Sequence, residues 1–467
     1  MRHSLIRALA LLLIAGLAAC SGGSFGKSML PAQSGAPMTL PAMSDTQWAL
    51  LTLEARPYRA CAPPQPGHFA CDLITSSIAV GAAPDGEPAC AHMPGCYGPS
   101  DLQAAYGLTK LVKGDGKNST VAVVDAFGYT GGYNGLAKDL NTYRSGWKLP
   151  ACKAGCFKVV NQSGGTSLPK PGTGNSSGWQ GETALDIDMV SAACPNCKIV
   201  LVEANSDLFG DLAGHAMPTA LKLAGVVSDS FGSSEAVKTA ASAGWGFYDS
   251  DPHKVITASA GDSGAGAPGA REQQPCGFTG VICVGGTELT VQSGKYVREV
   301  VWDGLHPGHE CGADNSPCAT GSGCSALVAK PSWQHDKGCA LRSAADISSN
   351  ADPYSGVAIV CRPCGSSSSG APFLTFEGGT SESAPFIAGV YGLAGNGSKL
   401  TNPGQTLWSK GGTSAFHAIT SGFNDRAGVT GLVCNATIAY ICKAGTHMNG
   451  NYAGPIGWGS PNGVAAL

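Results

Sequence analysis

A chain of 467 residues, 43% hydrophobic and 13% charged, is long enough to bury one large core or two modest ones. Its 67 glycines and 29 prolines are scattered without period, which excludes collagen-like and linker architectures and implies many long turns. The net charge of −3, with no dense Lys/Arg cluster, excludes the electrostatic footprint of a nucleic-acid binder.

Residues 1–20 read as a signal peptide. Arg2 and Arg7 flank the start of an apolar run from Ala8 to Leu17 that is too short to span a bilayer. Leu17-Ala18-Ala19-Cys20 resembles the lipobox of bacterial lipoproteins, which implies export, lipidation of Cys20 and attachment to a membrane surface in the cell envelope. An ordinary secretory signal that happens to contain cysteine is the alternative. Residues 21–96, rich in Pro, Ala, Ser and Gly and without a sustained period, read as a tether leading into a small cystine-containing, prosegment-like region.

Of the 19 cysteines, setting Cys20 aside leaves an even number, which fits an oxidising compartment. Local couples are Cys61 with Cys71, Cys90 with Cys96, Cys152 with Cys156, Cys194 with Cys197, Cys276 with Cys283, Cys361 with Cys364 and Cys434 with Cys442. Cys311, Cys318, Cys324 and Cys339 remain to pair locally. Cys194-Pro195-Asn196-Cys197 also fits a redox or zinc motif, but no second Cys/His couple at zinc spacing follows, so a structural disulfide is expected.

From Tyr97 onward the texture changes. Ser100 is placed to cap a helix with Asp101 in its first turn and Leu102 and Tyr106 on one face. Val/Ile-rich runs at 119–126, 198–204, 225–230, 254–259, 281–285 and 356–361 are nearly continuous, as strands buried on both faces should be. Amphipathic stretches at 131–144, 182–193, 207–224 and 235–248 lie between them. Strand and helix in alternation predict an α/β fold, a parallel sheet with helices on both faces and disulfide-rich loops.

Three stretches carry chemistry. In Gly181-Glu182-Thr183-Ala184-Leu185-Asp186 a helix stacks the two carboxylates one turn apart, close enough to share a proton; taken alone, the pattern also suits a solvated helix face. Asp262, in Ser259-Ala260-Gly261-Asp262-Ser263-Gly264, follows a buried strand where open parallel sheets bind ligands, although a turn-forming Asp reads the same way. Ser381, in Gly378-Gly379-Thr380-Ser381, opens an apolar helix containing Pro385, where an isolated serine is ordinarily a cap.

In this order the three stretches resemble the sedolisins, the serine-carboxyl peptidases, and the likeness runs from Tyr97 to the C-terminus, marking 97–467 as the peptidase domain. The resemblance implies a subtilisin-like fold and serine-type endopeptidase activity on protein or peptide substrates by a chain expected to be monomeric. It further implies Ser381 as nucleophile, Glu182 as general base, Asp186 as the group that orients it, and Asp262 as a protonated donor to the oxyanion. Such carboxyl groups, with unperturbed pKa values near about 4, imply a preference for acid. Subtilisin-like peptidases with a Ser/His/Asp triad share the Gly-Thr-Ser turn, and Asp125 lies on the first strand, but no histidine occurs between Gly131 and Ala193.

Two departures stand out. The family's usual calcium carboxylates fall on Ala418 and Ala453, so no metal and no other cofactor is expected, with Asp425 the one nearby acid able to compensate. The region before Tyr97 has room for a reduced prosegment only, and cleavage near Tyr97 would detach the domain from Cys20. A catalytically inactive peptidase fold serving as a surface binding module is the alternative reading.

Overall fold

Runs such as Thr120-Val121-Ala122-Val123-Val124 offer no polar face to water, so they pair inside the molecule. The computed structural model describes residues 57–80, 96–235, 245–249, 253–266, 273–304, 318–364, 373–395, 397, 399–425, 434–435, 439–446 and 451–467, all within one unit, Met43–Leu467. The first described segment forms β1 (Ala70–Cys71) and β2 (Ile74–Val80). After α1 (Pro99–Ala105), strands β3 (Thr120–Ala126), β4 (Phe157–Asn161), β5 (Lys198–Ala204) and β6 (Val226–Asp229) alternate with helices α2 (Gly132–Gly146), α3 (Gly178–Ala193) and α4 (Met217–Leu223). Then come β7 (Phe231–Ser234), β8 (Val255–Ser259), β9 (Ile282–Gln292), β10 (Lys295–Val301) and β11 (Ile347–Asn350). β12 (Val357–Cys361) and β13 (Phe373–Gly378) lead into α5 (Thr380–Ala394).

The central sheet has eight strands in the order β10-β9-β8-β6-β3-β5-β4, with β11 also on β9. Every pairing is parallel except β9 with β10. The register sets Asp125 opposite Glu203, and Val124 opposite Asp229, so three acids gather at the carboxyl ends of adjacent strands. That edge is where open α/β sheets place their ligands.

The α/β expectation holds, with two differences. The run at 356–361 forms β12, but it joins an antiparallel sheet with β13 and β2 rather than the parallel one. Its partner strand follows closely in sequence, and local antiparallel pairing needs no crossover helix. The helix expected at 235–248 falls largely outside the described residues, and 245–249 is a turn. Six of the expected cysteine couples are bonded, together with Cys324–Cys339. Cys90 and Cys20 lie outside the described residues.

Helices α3 and α5 pack against each other in the interior. Every α3 residue from Trp179 to Ala193 is buried, as is α5 from Thr380 to Leu393, so both are enclosed on all sides. Their backbones approach closely at Gly389, where a Cβ would lie 2.6 Å from the Cβ of Ala193. This contact fixes Glu182 and Ser381, carried by different helices, relative to one another.

Candidate active site

Ser381 is the second residue of α5 and does not cap it; the cap is Gly379, at φ 88°. A side chain there would be strained, and its Cβ would lie 2.2 Å from the Asp72 carbonyl oxygen and 2.7 Å from Asp262 Oδ2. The glycine therefore brings three chain segments together beside Ser381. Pro385 stands in the second turn of α5, where it has no N–H to give the Ser381 carbonyl.

The Ser381 hydroxyl donates to Glu182 Oε2 at 2.9 Å, with the Ser230 carbonyl 3.3 Å away as a weaker acceptor. Where histidine-dependent serine peptidases present an imidazole, a carboxyl group stands here. Asp186 lies one turn further along α3. Both of its oxygens, and Glu182 Oε1, lack a hydrogen bond of good geometry among protein groups. The Ser230 hydroxyl and Glu182 are polar neighbours of Asp186 that favour its ionised form.

Burial dominates the electrostatics. The Glu182 carboxyl is pushed well above its usual range by desolvation, then by repulsion from Asp186 and Asp125, against the opposing Ser381 bond. Asp186 is raised by desolvation and then by Asp125. Desolvation also lifts Asp125 to about 7. Carboxyl groups this close and this dry cannot all ionise, so the cluster retains protons and shares them.

Asp262 follows β8 through Gly261, at φ 89°. Its Oδ1 accepts from the Thr380 N–H at 2.8 Å and from the Thr380 hydroxyl at 2.9 Å, while Thr380 Oγ1 accepts from the Gly261 N–H at 3.0 Å. Its Oδ2 is buried with no partner, beside the turn that carries Ser381. Desolvation raises Asp262 to about 6, opposed by Arg59 and the Thr380 bonds. A protonated Oδ2 would be a hydrogen-bond donor beside the Gly379 turn that carries Ser381.

All four acid and hydroxyl residues singled out in the sequence thus converge. Asp72 was not among them. Its carbonyl accepts from the Ser381 N–H at 3.3 Å, and its carboxyl receives the Ser259 hydroxyl at 2.6 Å and the Gln273 amide. The signal available was the apolar run Phe69-Ala70-Cys71 and Leu73-Ile74, which a solvated tether does not need.

The positions read for calcium are elsewhere. Ala418 and Ala453 present methyl groups, and Asp425 Oδ2 is engaged with the Cys434 N–H at 3.0 Å. No group of three or more His, Cys, Asp or Glu side chains suited to a metal occurs among the described residues.

A parallel sheet with a serine at the start of a buried helix and a carboxyl partner on a second helix defines a subtilisin-like peptidase scaffold. Residues 172–406 match the subtilase family (peptidase S8), and the chain belongs to that family of serine-type peptidases. Its likeness is to the sedolisin kind, as the motifs indicated. Kumamolisin of Bacillus sp. (strain MN-32) is 29% identical over 360 residues, covering 72% of this chain and 58% of kumamolisin. The chain therefore spans less than two thirds of that relative. Pseudomonas sedolisin, a serine-carboxyl proteinase solved with two molecules of pseudo-iodotyrostatin, superposes with a TM-score of 0.61 at 23% identity, over 79% of this chain and 95% of its own. At that identity the likeness is one of fold.

Proposed function

We propose that the chain is a serine-carboxyl peptidase that hydrolyses peptide bonds in acid. The carrying observation is the hydrogen bond from Ser381 Oγ to Glu182 Oε2 inside a cluster of proton-retaining carboxyls. Ser381 attacks the peptide carbonyl while Glu182 takes its proton, and Asp186 holds part of the resulting charge change. The oxyanion is met by the Ser381 N–H and by protonated Asp262 Oδ2, and Glu182 returns the proton to the departing amine. Water then repeats the sequence on the acyl-enzyme. An inactive binding scaffold has no use for a nucleophile paired with a buried carboxyl, which favours the enzyme.

The test is digestion of denatured casein between about pH 3 and 8. Activity confined to acid and lost in Ser381→Ala supports the reading; equal digestion by Ser381→Ala overturns it. Asp262→Asn gives a sharper check. Because Asp262 sits at about 6, the wild-type donor is lost as pH rises through that value. An asparagine amide donates at every pH, so the variant is expected to lose the alkaline fall of roughly tenfold per unit that Asp262 ionisation causes. Asp262→Ala, with no donor, is expected to lose about 10²–10³-fold in kcat.

The residues at 418 and 453 do not fit a calcium ion, since two methyl groups replace the carboxylate charge such a site draws on. A chelator is therefore expected to leave both activity and melting temperature unchanged, measured with and without added calcium. We also propose export and lipid anchoring through Cys20, on the sequence of its first residues; metabolic labelling with a radioactive fatty acid, lost in Cys20→Ser, checks it.

A further inference from the structure

Cys194–Cys197 and Cys361–Cys364 are disulfides of the same C-x-x-C spacing, but the fold surrounds them differently. Cys194 ends α3, Cys197 leads into β5, and the two are 0% and 1% exposed. Gly116 and Gly392 close over them: their Cβ atoms would lie 2.3 Å from Cys194 Sγ and 2.8 Å from Cys197 Sγ, respectively. A reagent reaches those sulfurs only by opening the packing of the interior helices. Cys361 ends β12 and is likewise 0% exposed, whereas its partner Cys364 is exposed. In every other described disulfide both halves are buried or half-buried.

One exposed half sets the direction of attack. Thiol–disulfide exchange begins when a thiolate strikes one sulfur and expels the other. A thiolate arriving from solvent meets Cys364 Sγ, so Cys361 is the leaving sulfur. The Tyr129 hydroxyl stands 3.8 Å from Cys361 Sγ in donor geometry. It also donates to Asp139 Oδ2 at 2.8 Å, and Asp139 pairs with the Arg362 guanidinium at 2.8 Å. A hydroxyl between two acceptors turns towards the one that gains charge, and Arg362 offsets the carboxylate beside it. The leaving thiolate therefore has a donor already in place.

The exposed cystine half also bears on the helix that carries Glu182. A Cβ on Gly181, the residue before Glu182, would lie 3.4 Å from Cys364 Sγ, an ordinary packing contact. Further along α3, Asp188 Oδ2 accepts the Val360 N–H of β12 at 3.1 Å. The Arg362 N–H donates to the Tyr129 oxygen at 3.2 Å and to Asp139 Oδ2 at 3.0 Å. Opening the disulfide leaves the bonds of Val360 and Arg362 in place and releases Cys364 from β12. The change is thus confined to the contact beneath the first turn of α3, where Glu182 sits.

We propose that Cys361–Cys364 is a thiol–disulfide exchange site, attacked at Cys364 by a small thiol from solvent, and that its opening slows the peptidase by loosening the turn that positions Glu182. The second half rests on the peptidase reading above. The thiolate sulfur bonds to Cys364 Sγ as the Cys364–Cys361 bond breaks, and Cys361 departs as a thiolate and takes up a proton. A second thiol then displaces Cys364 from the mixed disulfide. Two small thiols are oxidised to one disulfide, and two cysteine thiols are left in the protein. The steps reverse with an oxidised small disulfide, because Cys361 stays three residues from Cys364 and recloses the bond. Cys194–Cys197, of equal spacing but sealed, is the internal control.

The full chain is treated with limiting dithiothreitol at about pH 8, where the reagent supplies thiolate, and sampled over time. Half of each sample is alkylated with N-ethylmaleimide and mapped by peptide mass spectrometry. The other half is acidified to about pH 4, which stops exchange by protonating thiols, and its casein digestion is measured. Cys361 and Cys364 are expected to be labelled at least about tenfold faster than Cys194 and Cys197. Digestion should fall about tenfold in step with that label and return after oxidised glutathione is added. A Cys361→Ser/Cys364→Ser variant should digest at the reduced wild-type rate and lose nothing more to the reagent; the wild-type readouts do not depend on its folding. If Cys194–Cys197 or another described disulfide opens first, or if Cys361–Cys364 opens fully with digestion unchanged, this proposal falls and the peptidase reading stands. If neither the oxidised nor the reduced protein digests casein, the peptidase reading falls with the proposed control of activity, while the labelling ratio still decides the exchange site.

Discussion

Glu182→Gln is expected to lower kcat/KM by about 10³–10⁴-fold at every pH, with little loss of folded protein. The amide can still accept the Ser381 hydroxyl bond seen at 2.9 Å, so the ground-state geometry survives. It cannot take the proton, so Ser381 would have to attack as a neutral hydroxyl with no base in reach. The packing cost is small because glutamine is isosteric and the site already disfavours charge on Glu182. The contrast with Asp186→Asn is informative: Asp186 makes no bond to the nucleophile, and its loss should cost less while moving the pH profile, since it shares the proton held at Glu182. The check is kcat/KM on a peptide from the casein digest together with a thermal melt of each variant. A Glu182→Gln enzyme as fast as wild type would mean the base is another group. Combining it with Ser381→Ala should add nothing, because residues acting as a unit are not additive.

The parts of this site that could be read from the sequence were those in which local pattern and chemistry coincide. Glu182 and Asp186 announce themselves by helical spacing, and Asp262 and Ser381 by glycine turns at the ends of buried elements. The parallel sheet was legible because strands buried on both faces are Val/Ile-rich without alternation. What escaped was long-range pairing. Residues 356–361 have the composition of a central strand, yet β12 pairs with its neighbour β13, and β13 in turn with β2, nearly three hundred residues upstream in chain order, a choice no local signal encodes. Asp72 escaped for the same reason: its segment has too few residues between turns to show a period, and its order comes from the cleft it fills. The short π-helical turn Leu212–Ala216 within the expected helix at 207–224 is likewise invisible to hydrophobic spacing.

The stability of this protein is expected to fall, rather than rise, between about pH 4 and 8. Burial raises Asp262 to about 6, Asp125 to about 7, and Asp72, Glu203 and Glu377 to about 8. Each of these acids binds its proton more tightly folded than unfolded. The stability it contributes is therefore fully present below the unfolded pKa near about 4 and is lost as pH rises through the folded value. A single acid raised by two units is worth about 3 kcal/mol across that window. The sum is smaller than five such terms, because neighbours in one cluster share protons and repulsions. A net loss of several kcal/mol remains, large against a typical stability of about 5–15 kcal/mol. Urea unfolding of Ser381→Ala, chosen so that self-digestion does not intervene, should show a lower midpoint at pH 8 than at pH 4. A midpoint that rises over the same range would mean these carboxyls ionise freely in the folded state, and Asp262 would then have no proton to offer an oxyanion. Under the proposed mechanism, the arrangement expected to cost stability at neutral pH is the one that would supply the chemistry: carboxyls kept dry enough to hold protons in acid are able to donate them to a substrate.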